Sequence, residues 1–160
     1  MDHDVKVQHR EAALVLAKRQ PVRLSDIGWT LGAAFGEAYG HLGAHGGVPN
    51  GPPFVIYHGL PAGNEPFDIE VCAPVKHSVD PPSGWALTEL PGGTFASLLH
   101  VGPYDSVRKG YDTLLAWLAT NDLVVAGPPR EVYLSDPLTP PEQIRTVIEF
   151  PVVEAAAPVR

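Results

Sequence analysis

Two Gly-Pro-Pro triplets stand 76 residues apart in this 160-residue chain, at Gly51-Pro52-Pro53 and Gly127-Pro128-Pro129. The same offset lays Ile56-Tyr57 on Val132-Tyr133, Leu31 on Val107, Phe35 on Tyr111 and Leu42 on Leu118. One residue further out of step, Pro74-Val75 falls on Pro151-Val152. Each half therefore reads strand, helix, Gly-Pro-Pro break, strand ending in Tyr, turn, strand ending in Pro-Val. Two copies of so long a unit predict a duplicated domain half, because a solenoid stacks three or more shorter repeats.

The opening strands are expected at Ala12 to Ala17 and Phe95 to Val101. Ser25 and Asp26 offer cap chemistry to a first helix that carries Ile27, Leu31, Ala34, Phe35, Ala38 and Leu42 at helical spacing. Gly102-Pro103 introduces a second helix with Tyr104, Val107, Tyr111, Leu114, Leu115 and Leu118 on one face. Its other face carries Asp105, Arg108, Lys109 and Asp112, so the helix is amphipathic and should cover a sheet. Phe54 to Tyr57, Phe67 to Cys72, Arg130 to Leu134 and Arg145 to Phe150 supply the remaining strands, and short turns between them imply antiparallel pairing. The expected class is α+β: strand-helix-strand-strand halves with pseudo-twofold symmetry, one curved antiparallel sheet, and both helices on one face. A single domain spanning residues 1–160 is expected, with halves at about 5–76 and 85–153 and a frayed tail at 154–160.

Composition narrows the function. Apolar residues make up 44% of the chain and charged residues 18%, a globular balance. A net charge of -7 with no basic run argues against a nucleic-acid surface, which needs clustered Lys and Arg. Cys72 is the single cysteine, so no internal disulfide forms. The opening MDHDVKVQHREAALV lacks the order of a signal peptide. The uncharged-looking stretch Ile27 to Ala44 holds Glu37, His41 and few large aliphatics, so it reads as a helix of the fold rather than a membrane span. Cytoplasmic location is the expectation.

The residue that asks for an explanation is Glu131, in the short strand between Pro128-Pro129 and Ser135-Asp136-Pro137. Its repeat mate is Val55, and alternation puts Glu131 on the face of Tyr133 as it puts Val55 on the face of Tyr57. If Val55 faces the core, so does Glu131. A surface strand would instead let Glu131 pair with Arg130 or Arg145, contributing about 0–1 kcal/mol. Rings gather on the same stripes: Tyr104, Tyr111, Tyr133, Tyr57, Phe35 and Tyr39. An aromatic-walled cavity with one buried acid, formed where the halves meet, suits a bulky apolar ligand that carries positive charge.

Other constellations are weaker. His41 and His45 have the spacing of zinc ligands, but the glutamate of the HExxH motif is absent, and neither metal nor cofactor is expected. Ser97 and His100 lack the GxSxG elbow. Gly28, Gly32, Gly36 and Gly40 cost about 1 kcal/mol each against alanine in a helix, and close helix packing is the expected reason. Trp29 and Trp85 are expected at a cavity rim or capping the core.

The stretch from His100 to Val152 resembles the GyrI-like small-molecule-binding family, which includes effector domains of AraC-type and MerR-type multidrug regulators and a DNA gyrase inhibitor. The resemblance rests on HVGPY at residues 100–104, Tyr111, Gly127-Pro128, the Glu-Val-Tyr of residues 131–133, Asp136-Pro137, Pro141-Glu142 and Phe150-Pro151-Val152. PPFVIYHG at residues 52–59 and Ala73-Pro74-Val75 extend it, more loosely, over the first half. It implies a duplicated strand-helix-strand-strand fold, a ligand cavity between the halves, and contact of a cationic ligand with the glutamate at Glu131. Many relatives place another glutamate near Val147; here the acid is Glu149, retained one step along the same face or a surface charge.

Three functions follow. The first is a stand-alone binder of bulky hydrophobic or cationic molecules. It would use Glu131, Tyr133, Tyr111, Tyr104, Tyr57, Phe35 and Tyr39, with any DNA contact supplied by a partner, since the roughly 20 residues before the first helix are too few for a helix-turn-helix. The second, also implied by the resemblance, is a cofactor-independent hydrolase of reactive electrophiles such as isothiocyanates or cyclopropane-bearing compounds. There Glu131, its pKa raised by burial, acts as general base, and Tyr133 or Tyr111 donates a proton. The third is a protein inhibitor of the gyrase-inhibitor type, which takes a protein partner.

Overall fold

The computed structural model describes residues 5–136 and 138–155. These fall into two compact units, residues 11–92 and residues 93–155 joined by 5–10. In chain order the elements are β1 (Lys6–Arg10), β2 (Ala13–Val22), α1 (Ile27–Ala44), β3 (Phe54–Tyr57), β4 (Phe67–Pro74), β5 (Ala86–Leu90), β6 (Gly93–Val101), α2 (Val107–Thr120), β7 (Leu123–Val125), β8 (Arg130–Tyr133) and β9 (Arg145–Glu154).

In the first unit β4 pairs antiparallel with β3 and β2, and β2 pairs with β5. In the second, β9 pairs antiparallel with β8, β6 and β7, and β6 pairs with β1. Each unit carries one helix, α1 against β2 and β4, α2 against β6, β7 and β9. The α+β class and the duplicated strand-helix-strand-strand order are thus present.

The repeat is conserved down to the hydrogen-bond register. Val55 lies opposite Val71 and Tyr57 opposite Ile69. In the second unit Glu131 lies opposite Ile148 and Tyr133 opposite Thr146, each pair at the same step along its ladder. A 3-10 turn leads into each helix, Leu24–Asp26 and Tyr104–Ser106, and these begin 80 residues apart, whereas the helices end 76 apart at Ala44 and Thr120. The difference is one extra turn in α1. Past that turn the buried stripes coincide: Ala34, Ala38 and Leu42 in α1, Gly110, Leu114 and Leu118 in α2.

The half boundaries differ from the expected 5–76 and 85–153. β1 pairs with β6 of the second unit, and β5, expected at the start of the second half, pairs with β2 of the first. Both are short strands without an alternating apolar pattern, and their partners decide where they belong. Of the tail expected to fray, Glu154 lies opposite Leu123 in the β7–β9 ladder and Ala155 donates its N–H to the Asp122 carbonyl at 2.9 Å. Residues 156–160 lie outside the described residues.

Three local expectations are corrected. Asp26 occupies the N-cap of α1 but makes no side-chain cap bond, and the Ser25 hydroxyl turns instead to the Asn64 side-chain oxygen at 3.1 Å. Tyr104 belongs to the turn before α2 rather than to its stripe, and Leu115 is exposed. The glycine stripe is not a packing surface. A Cβ built on Gly28, Gly32, Gly36 or Gly40 meets nothing within 4 Å among the described residues, because α1 seats its alanines and Leu42 inward. At Gly110 of α2 the reverse holds. A Cβ there would lie 2.6 Å from the Ile148 Cδ1, so this glycine lets α2 approach the sheet.

Candidate functional site

In the second unit, the register sorts side chains into two faces. Glu131 and Tyr133 share theirs with Ile148, Thr146, Leu98 and His100, since directly opposed residues project together. This is the face α2 covers: Leu98, Ile148 and Phe150 form its core with Leu114 and Leu118. Glu131 is therefore turned inward, 7% exposed, among apolar neighbours. A carboxylate in that position needs donors. Tyr111 supplies the first from α2, its hydroxyl 2.6 Å from Oε2, and Tyr133 the second from the same strand, 3.2 Å from Oε1. Hydrogen bonds to a charged acceptor contribute about 1.5–3 kcal/mol, more than neutral ones.

Rings brace these donors. Tyr104 meets Tyr133 edge-to-face at a centroid distance of 5.8 Å and 82°, and Tyr111 meets Phe150 at 5.9 Å and 84°. Such pairs add about 0.5–1.5 kcal/mol beyond burial. Tyr104 is 50% exposed and forms the outer edge of the cluster. Its phenol is pushed above the ordinary value of 10.0, first by partial burial and then by the negative charge of Glu131.

Four of the seven expected residues are thus brought together around one carboxylate. The other three lie in the first unit. Phe35 and Tyr39 follow one another along α1 with ring centroids 6.5 Å apart, and Tyr57 stacks on Phe67 at 6.4 Å. Burial raises the Tyr39 pKa, and its hydroxyl has no hydrogen-bond partner among the described residues. A depression of about 260 Å³ in the same unit, lined by Gln20, Pro21, Val22, Arg23, Asp26, Thr30 and Pro66, holds none of the seven.

The surface alternative for Glu131 does not hold. Arg130 points to the opposite face, its guanidinium 4.5 Å from the Phe95 ring centroid. On that face too lies Glu149, opposite Arg130 and Ser97 in register. It is 4% exposed and bound to Arg10 of β1 at 2.5 Å. Neither an acid beside Glu131 nor a surface charge, Glu149 fastens the N-terminal strand to the sheet. Ser97 and His100, an odd number of residues apart on β6, project to opposite faces; His100 bonds the Ser106 hydroxyl at 3.0 Å. His41 and His45 stack at 4.1 Å, and the His41 Nε2 lies 2.6 Å from the Asp80 carbonyl. Trp29 is 81% exposed, whereas Trp85 is buried, donating its indole N–H to Glu37 with the Lys18 ammonium 6.0 Å over its ring.

One residue of the cluster's face escaped the sequence reading. Thr146 on β9 lies between His100 and Tyr133 in register, fully buried, and its hydroxyl has no hydrogen-bond partner among the described residues. An orphaned buried hydroxyl costs about 1–3 kcal/mol. Threonine in a strand draws no notice by propensity. The repeat could have exposed it, because at the 77-residue offset of the last strand its mate is Ile69.

The sequence profile of the GyrI-like small molecule binding domain matches residues 3–153. No curated protein matches the chain. Among solved structures, the C-terminal domain of EcmrR superposes with a TM-score of 0.84 at 24% identity, over 97% of this chain and 100% of that one. An EcmrR–DNA complex gives 0.83 at 24%, over 96% of this chain, which spans 58% of the length of that chain. A hydrolase from Listeria innocua gives 0.69 at 13% identity, over 95% and 93% of the two chains. SAV2435 bound to tetraphenylphosphonium gives 0.64 at 12%, over 94% of each. At these identities the likeness concerns the fold. No helix among the described residues is long and apolar enough to cross a membrane.

Proposed function

The chain belongs to the GyrI-like small-molecule-binding domain family, and from that premise we propose that it binds bulky, lipophilic cations in the cytoplasm, with Glu131 as the charge partner. The observation that carries this reading is the buried Glu131 carboxylate, held by the Tyr111 and Tyr133 hydroxyls. Both hydroxyls donate to the carboxylate, and in apolar surroundings its attraction to a cation is screened less than in water. The ring faces of Tyr133, Tyr111 and half-exposed Tyr104 add cation–π attraction. The tetraphenylphosphonium carried by SAV2435 is a ligand of this chemistry. The net charge of -7 argues against a nucleic-acid surface on these residues.

The test compares tetraphenylphosphonium with neutral triphenylphosphine oxide by tryptophan fluorescence. Binding of the cation at least about tenfold more tightly supports the reading, the minimum expected of one unscreened charge contact. Equal affinities contradict it. A second reading, hydrolysis of a reactive electrophile, draws on the two phenols beside one carboxylate and on the fold shared with the Listeria hydrolase. Glu131 would take a proton from water as the water attacks, and Tyr133 would donate one to the leaving atom. Product formation by wild type and its loss in Glu131→Gln separate this from binding.

A further inference from the structure

We propose that the row His100–Thr146–Tyr133 is a hydrogen-bonding subsite beside Glu131, which takes a hydroxyl on the ligand's side arm. The inference rests on the cation-binding reading and deepens it. These three residues lie directly opposite one another on β6, β9 and β8, on the face α2 covers. The next row along the same face is Leu98, Ile148 and Glu131. Glu131 and Thr146 are diagonal neighbours across β8 and β9, about 7–8 Å apart, a span that a short alkyl arm covers.

The middle member carries the argument. Thr146 is fully buried and its hydroxyl has no partner among the described residues. The same position in the first unit is Ile69, also opposite a tyrosine, Tyr57, and also fully buried. A branched apolar side chain therefore fits this place in the fold, and threonine there sacrifices stability for a polar atom. Around it, Tyr133 offers the lone pairs of a phenol whose proton goes to Glu131, and His100 an imidazole already turned by Ser106. Groups that both donate and accept match a hydroxyl better than an obligate acceptor or a second charge. Tyr104, half exposed and edge-on against Tyr133, is the wall that a ligand displaces to reach them.

A matched pair of probes tests this: (3-hydroxypropyl)triphenylphosphonium and propyltriphenylphosphonium, titrated against wild type, Thr146→Val, Thr146→Ser and Glu131→Gln, with melting temperatures measured alongside. Wild type should prefer the hydroxylated probe by about tenfold, one buried hydrogen bond's worth. Thr146→Val should abolish that preference without weakening the propyl probe and without lowering the melting temperature. Thr146→Ser should retain the preference. Glu131→Gln should weaken both probes together and leave their ratio intact. No preference in wild type, or a preference that survives in Thr146→Val, overturns the subsite. Unchanged affinities in Glu131→Gln overturn the cation reading instead, while the ratio still decides the subsite. Failure of both probes to bind overturns both.

Discussion

The two units build the same frame and fill it with opposite chemistry. Where the second unit has Glu131, Tyr111, Tyr133 and Thr146, the first has Val55, Phe35, Tyr57 and Ile69. Val55 and Ile69 are fully buried, so the positions face inward in both copies. The frame does not require an acid there, since its own twin does without one. The acid arrives with the Tyr111 phenol, where the first unit has Phe35, while the Tyr133 phenol already has its counterpart in Tyr57; a carboxylate in this place without donors would not be tolerated. That co-occurrence is the difference between the units on which the proposed binding role rests.

The comparison can be broken most severely by Val55→Glu, which gives the first unit an acid while Phe35 holds the repeat position of Tyr111. Loss of about 3–5 kcal/mol is expected for a buried charge that lacks the Tyr111 donor, measured by urea denaturation, and Phe35→Tyr on that background should restore part of it. A Val55→Glu variant as stable as wild type would mean that the phenols of the second unit are dispensable. The next effect is smaller. Tyr111→Phe removes the 2.6 Å donor and Tyr133→Phe the 3.2 Å one. Losses of about 1.5–3 and about 0.5–1.5 kcal/mol follow. A double-mutant cycle with Glu131→Gln should show coupling for Tyr111 above that for Tyr133; the reverse order would displace Tyr111 as the principal donor.

The smallest effect concerns pH. Tyr104 ionises above 10.0 in the folded protein, through burial and through Glu131. A group whose folded pKa is raised contributes stability that is complete below its unfolded pKa and disappears as pH climbs through the folded value. Its contribution is thus flat up to about pH 10 and falls only beyond. Phenolate absorbance should show Tyr39 and Tyr104 ionising late, and Glu131→Gln should bring the Tyr104 step earlier without returning it fully, since burial remains. An unchanged step would mean that the Glu131 charge does not reach Tyr104.

Much of this was legible in the chain because duplication supplies its own control. The offset of 76 identified Val55 as the mate of Glu131, and alternation tied the direction of the acid to that of Val55; the burial of both residues then decides it. What stayed hidden has physical reasons. β1 and β5 are short and lack a buried stripe, so only pairing shows which unit holds each. The partner of Glu149 is Arg10, 139 residues away in sequence, and no local pattern signals such a bond. The glycines of α1 look like a packing ridge by spacing alone, yet the buried stripe runs through Ala34, Ala38 and Leu42. Thr146 reads as an ordinary strand residue until its mate Ile69 is set beside it.

The most direct measurement is isothermal titration of tetraphenylphosphonium into wild type and Glu131→Gln, with the melting temperature of each recorded first. Glutamine keeps the shape and removes the charge. A loss of affinity of about tenfold or more, in a variant that remains folded, is the predicted result. Equal affinity in the two proteins would show that the buried carboxylate serves the fold alone, and the difference between the two units would then be structural.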